Sequence, residues 1–130
     1  MTFPTTEVSG ILKRSGMVTL DSNGNGVISL SPQNSRQRWI VTGVFVTTNQ
    51  GQTAIPVPIA TVSLNGVHFG RSIAISPGAS ISASWSGNQD TFTGNLDVGP
   101  CDQLQIIFQS GIPATIGYAN VRGQYFTRTA

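Results

Sequence analysis

The amino-acid sequence predicts an all-β domain, an antiparallel two-sheet β-sandwich of jelly-roll type, and three observations carry that expectation. Helix signals are nearly missing: the chain holds one Lys and one Glu, and apolar residues do not recur at helical spacing over any long window. Short runs in which apolar and polar residues alternate are frequent, the mark of strands with one buried face. Gly (15) and Pro (7), together with Asn, interrupt the chain between these runs. With 130 residues, a single domain around one core is expected.

Residues 1–15 read as an extended N-terminal arm and 16–130 as the sandwich. Thr2-Phe-Pro-Thr-Thr6 cannot start a regular element, and Ile11-Leu12-Lys13-Arg14 is a short amphipathic piece between Gly10 and Gly16. An arm of this kind orders on a neighbouring chain, burying Phe3, Ile11 and Leu12 and setting Lys13 and Arg14 against acid; a frayed terminus or a simple first edge strand is the alternative. Met17–Asp21 alternates, with Val18 and Leu20 on one face, and Val27–Ser31 repeats the pattern with Ile28 and Leu30. The intervening Ser22-Asn-Gly-Asn-Gly26 supplies the positive φ of a tight turn, so the two runs are expected to pair as a hairpin.

Arg38–Thr48 is apolar on both sides, with Trp39, Val41 and Phe45 facing one way and Ile40, Val44 and Val46 the other. Such a strand lies centrally or under a neighbouring subunit. The segment 53–58 carries Pro56 and Pro58 and reads as an edge or connector. Further strands are expected at 60–64, 68–75, 80–85, 91–98, 103–109 and 114–126, the last broken at Gly117 or Gly123. Turn clusters such as Asn65-Gly66 and Val98-Gly-Pro100 separate them.

Composition narrows the chemistry. Charged residues are 9% of the chain, while Ser, Thr, Asn and Gln number 14, 14, 8 and 9, so polarity comes from neutral hydrogen-bonding groups. The net charge of +2 and the pI of 9.2 reflect a scarcity of acids, and the seven basic residues lie scattered along the sequence, which argues against a nucleic-acid stripe. One His and one Cys cannot build a Cys/His zinc site or an internal disulfide. No apolar run reaches the ~18 residues that span a bilayer, and the start lacks the pattern of a secretory signal.

Individual residues add little catalytic promise. Asp21-Ser-Asn-Gly-Asn-Gly26 begins like a calcium loop, but position 12 is Pro32 where a bidentate carboxylate belongs, so turn chemistry explains it and at most weak calcium binding is left. His68 has no nearby nucleophile motif, and Asp90 and Asp97 show no common cleft for glycoside hydrolysis. Cys101 reads as a small buried residue beginning a strand. Trp39 belongs to the core, whereas Trp85, Phe92, Tyr118 and Tyr125 are candidates for stacking on sugar rings. No metal, cofactor or catalytic residue is expected.

The segments Leu20-Asp-Ser-Asn-Gly-Asn-Gly-Val-Ile-Ser-Leu-Ser-Pro32, Arg38-Trp-Ile-Val-Thr42, Ser86-Gly-Asn-Gln-Asp-Thr91 and Pro100-Cys-Asp-Gln-Leu-Gln-Ile-Ile-Phe108 resemble small β-sandwich virion proteins of tailed bacteriophages, especially those infecting actinobacteria. The likeness covers about residues 17–126. It implies a non-enzymatic structural protein of the bacteriophage virion, with capsid decoration expected first and a head fibre or minor tail protein as variants. Such a protein is assembled in the host cytoplasm and needs no export signal. The expected partners are phage capsid or tail proteins and further copies of the chain, a trimer being favoured, with no nucleic acid and no membrane. Phe3, Ile11, Leu12, Lys13, Arg14 and Arg36 are the interface candidates. The alternative is a carbohydrate-binding module at a tail or fibre tip, using Trp85, Phe92, Tyr118 and Tyr125.

Overall fold

The computed structural model describes residues 7–49, 58–75, 83–86 and 96–128, with the side chains of 68–74 and 83–86 left aside. Nine strands are present among them: β1 (Glu7–Thr19), β2 (Gly26–Leu30), β3 (Gln37–Thr48), β4 (Ile59–Leu64), β5 (Val67–Ala74), β6 (Ala83–Ser86), β7 (Leu96–Val98), β8 (Leu104–Gln109) and β9 (Ile116–Arg128). They form two antiparallel sheets packed face to face, one in the order β1-β9-β3-β6 with β7 also on β3, the other in the order β2-β8-β4-β5. The fold is the all-β two-sheet sandwich that the alternating runs predict.

The core lies between the sheets. Trp39, Val41, Val44, Val46 and Val121 from the first sheet meet Ile28, Val62, Leu104, Ile106 and Phe108 from the second, all at most 4% exposed. β3 looks apolar on both faces because it changes phase midway. A β-bulge between Val41 and Gly43 inserts Thr42 into the pairing with β9, so Trp39 and Val41 point inward before it and Val44 and Val46 after it. Phe45, expected beside Trp39, therefore turns to the outer face with Ile40, and both are half-buried.

Gly123 faces that bulge, and a Cβ there would run into the Ile40 carbonyl. It thus permits the close backbone approach instead of breaking the strand. At Gly117 an added Cβ would press on the Phe108 ring, so this glycine too is a packing residue. β9 is continuous over 13 residues, contrary to the expected break.

Two expectations about the N-terminal third are corrected. Residues 7–15 are not a separate arm: β1 runs unbroken across the supposed boundary and pairs with β9 from Glu7↔Arg128 to Thr19↔Ile116. Alternation continues through the basic pair, which is why Leu12 faces the core at 3% exposure and cannot serve as an interface residue. Nor do β1 and β2 form a hairpin. They belong to opposite sheets, and the Asp21–Asn25 turn carries the chain from one to the other.

This corner is held by local hydrogen bonds. Asp21 Oδ1 accepts the N–H groups of Asn23 (2.8 Å) and Asn25 (3.0 Å), an Asx-type arrangement that uses the carboxylate that calcium would need. Gly24, at φ +75°, receives the Gly111 N–H on its carbonyl at 2.9 Å. The Asn65-Gly66 pair does form the expected hairpin, joining β4 to β5 with φ of 52° and 85°.

A second clamp ties that hairpin to the loop after β7. Asn65 Nδ2 donates to Asp102 Oδ1 (2.8 Å), Gly99 N–H donates to Asp102 Oδ2 (2.7 Å), and Gln103 N–H donates to Asn65 Oδ1 (2.8 Å). Cys101, in the same loop, is exposed rather than buried, because the turn at 100–101 precedes the first residue of β8. The segment 53–57, Asp90 and Phe92 lie outside the described residues.

Gly24→Ala is expected to cost about 1–3 kcal/mol, since it combines a positive φ with a collision against the Gly111 carbonyl. Gly66→Ala has the same φ sign but open space around it, so only the backbone strain of about 1–2 kcal/mol is expected. Urea midpoints at constant m-value compare the two. The Asp102 carboxyl is held below its ordinary value of 3.8, by the Asn65 amide first and the Gly99 N–H second. A depressed folded-state value gives stability that is complete above 3.8 and fades as pH falls through the folded-state value. Asp102→Asn should therefore flatten the acid limb of stability below that pH, measured by urea unfolding across pH 2–5 relative to the parent.

Candidate functional site

The basic residues, far apart in sequence, converge in the fold. Lys13 and Arg14 lie on β1, Arg38 on β3, Arg122 and Arg128 on β9, and Arg36 on the turn leading into β3. Six of the seven cations therefore belong to one sheet or its entering turn, and only Arg71, on β5, lies in the other. Against them this sheet offers Glu7 and Asp97.

Alternation distributes these charges over two faces. Glu7, Ile11, Lys13 and Met17 of β1 share the outer face with Tyr118, Arg122 and Phe126 of β9, as the register Lys13↔Arg122 and Met17↔Tyr118 requires. Ile11 is 73% exposed and Met17 66%. Arg38 reaches across this face: its Nε and Nη2 donate to the two Glu7 carboxylate oxygens at 3.3 and 3.4 Å, and its guanidinium sits 4.4 Å from the Phe126 ring centroid. Solvent exposure on both sides keeps this ion pair weak, on the order of 1 kcal/mol or less.

Arg14 takes the inner side. Its guanidinium lies 5.8 Å from the centroid of the Trp39 ring, at the rim of a cleft of about 450 Å³. The cleft opens between β1 and the Gln33–Gln37 turn, and Tyr125, Thr127 and Trp39 complete its lining. Tyr125 reaches this position because its register partner is Gly10, where a Cβ would collide with the phenol ring.

The floor of the cleft is ordered by one buried amide. Gln37 Oε1 accepts the Trp39 indole N–H at 3.0 Å and the Gln33 backbone N–H at 3.1 Å, while Nε2 donates to Thr127 Oγ1 at 3.4 Å. At 9% exposure this amide must find partners within the protein, and it finds three. A second cleft of about 390 Å³ lies across the same turn, lined by Glu7, Ser35, Arg36, Arg38, Pro100 and Arg128. The two clefts are neighbours because Asn34 and Ser35 are consecutive, as are Thr127 and Arg128.

The expected interface residues thus divide. Ile11, Lys13, Arg14 and Arg36 gather at this end, Leu12 is in the core, and Phe3 lies outside the described residues. The expected sugar-stacking residues form no common platform: Tyr118 and Tyr125 point to opposite faces of β9, the side chain of Trp85 is not described, and Phe92 lies outside the described residues. Gln33, Asn34 and Gln37 were not singled out in the sequence, and only the proximity of Gln37 to Trp39 could have marked one of them. Among the described residues no three of His, Cys, Asp and Glu come together.

Replacing Gln37 by Ala strands the buried Trp39 N–H, and a loss of about 1–3 kcal/mol is expected, with Gln37→Glu intermediate because one oxygen can still accept. Thermal unfolding followed by tryptophan fluorescence measures it. No protein-family model matches the chain, and no curated protein matches it either.

Proposed function

We propose that the chain is a non-enzymatic structural protein of the bacteriophage virion that decorates the assembled capsid and stabilises it by binding across its subunits. The observation that carries this reading is the outer face of the first sheet. Ile11 and Met17 stand exposed on the edge strand β1, on a face that also carries half-buried Tyr118, Phe126, Ile40 and Phe45 interspersed with Lys13, Arg122 and Arg38, the mixture of large apolar and cationic side chains that suits a protein contact. Strand order supports the same class. Without β7 the sheets run 1-9-3-6 and 2-8-4-5, the interleaving that two Greek keys leave in a jelly roll, an architecture shared by viral capsid and lectin domains.

A ligand that binds only the assembled lattice stabilises it by RT ln(1 + [L]/Kd), and a lattice repeats the site many times. The working unit in this reading is a homo-oligomer, a trimer by preference, placed on capsid or tail protein.

A second reading has its own observation. The cleft beside Gln37 joins an aromatic wall, Tyr125, to the neutral amides of Gln33 and Asn34, the chemistry that recognises sugar hydroxyls. It corresponds to a carbohydrate-binding module for host attachment, with Tyr125 as the aromatic contact.

Mass spectrometry of purified particles, separated into heads and tails, should find the chain in the head fraction. The double variant Ile11→Ser/Met17→Ser should keep the circular-dichroism spectrum of the parent and lose about tenfold in affinity for undecorated heads. Absence of the chain from both fractions, or unchanged affinity of a folded double variant, would refute the decoration reading.

A further inference from the structure

We propose that the end of the sandwich around the Gln33–Arg36 turn binds an acidic glycan, a saccharide chain carrying carboxylate or phosphate groups, laid across the turn from one cleft to the other. The inference rests on the carbohydrate reading of the first cleft and adds the charge of the ligand to it.

Three observations converge on an anion. The first cleft is lined by Lys13 and Arg14 and by no carboxylate. In the second, the single acid, Glu7, is already engaged by both Arg38 donors, which leaves Arg36 and Arg128 without a carboxylate partner among the described residues. The cations also stand close together at a cost. Lys13 and Arg122 are directly opposite in the β1–β9 ladder on the same face, an arrangement of like charges that weakens a sheet.

Two further features favour a sugar over other polyanions. Both clefts have the size of small-ligand sites, and the floor of the first is fixed in advance by the Gln37 bonds to Trp39 and Thr127, so little ordering is required when a ligand enters. Gln33 and Asn34 place neutral amides between the charged groups, matching a ligand whose acids are separated by hydroxyls. A nucleic-acid strand would call for successive exposed aromatic faces along its path. In the described clefts, Tyr125 and the buried Trp39 are the only aromatic residues. The Arg guanidinium suits both carboxylate and phosphate through paired N–H donors.

The test is titration of the full chain, by calorimetry and by amide NMR shifts, with four probes: a galacturonate trimer, a phosphorylated mannose trisaccharide, maltotriose, and an eight-residue thymidine oligonucleotide. The acidic glycan site is supported if either acidic probe moves the amide signals of residues 33–36 and binds at least about tenfold tighter than maltotriose, with affinity falling as NaCl is raised. Arg14→Gln and Arg36→Gln should each weaken that binding several-fold. Arg36 is exposed, so its variant tests the site even if Arg14→Gln disturbs the packing on Trp39. The two acidic probes distinguish carboxylate from phosphate as the preferred group. Equal binding of maltotriose overturns the acidic assignment while leaving the carbohydrate reading intact; no binding of any saccharide overturns both. Tighter binding of the oligonucleotide, or binding indifferent to Arg36→Gln, also overturns the proposal.

Discussion

The pairing of β3 with β9 is the constraint on which the rest of the molecule depends. These are two of the three longest strands, and the bulge at Thr42 lets a single strand give its odd residues to the core at one end and its even residues at the other. Without the phase change either Trp39 and Val41 or Val44 and Val46 would face solvent, and each fully buried side chain of that size contributes about 1.5–3 kcal/mol. Gly123 is the counterpart on β9, since the bulged backbone leaves no room for a Cβ there. The same pairing sets Arg38 against Phe126 and Trp39 against Tyr125, so the geometry of the charged end follows from the register of the core.

What could be read from the residues was the local part of this architecture. The strands expected at 60–64 and 103–109, found at Ile59–Leu64 and Leu104–Gln109, and the Asn65-Gly66 turn carry their outcome within a few residues, because strand-forming composition and positive φ are local properties. Partner choice is not local. Ser22-Asn-Gly-Asn-Gly26 satisfies the chemistry of a hairpin turn, yet β1 finds 13 residues of β9 to pair with and β2 finds β8, so the turn becomes a corner between sheets. The supposed arm has the same explanation. Nothing in Ile11-Leu12-Lys13-Arg14 announces that residues 121–124, more than a hundred positions away, complete its ladder.

The candidate site was legible only in fragments. Lys13, Arg14, Arg36 and Tyr125 stood out as residue types, but their convergence depends on three strands meeting at one end. A sequence that spreads its cations evenly can still produce a concentrated field when strands of 12 or 13 residues run antiparallel and bring the first residues of β1 and β3 beside the last of β9. Phe45 shows the same limit in the core, because a bulge of one residue reverses every assignment beyond it.

That concentration runs against the economy of the rest of the chain. With 9% charged residues and polarity supplied by hydroxyls and amides, this protein could cover its surface with neutral groups, as much of it does. The sheet instead keeps Lys13 opposite Arg122 and leaves Arg14 above Trp39 without a carboxylate among the described residues. Like charges facing across a ladder oppose folding by roughly 0.2–1 kcal/mol, and a Ser or Thr at either position would remove the repulsion without disturbing the backbone. Where a sequence otherwise so consistent departs from the rule for a stable sheet, the departure is best explained by what that surface meets, because interactions that oppose the fold tend to persist at the places where a protein works.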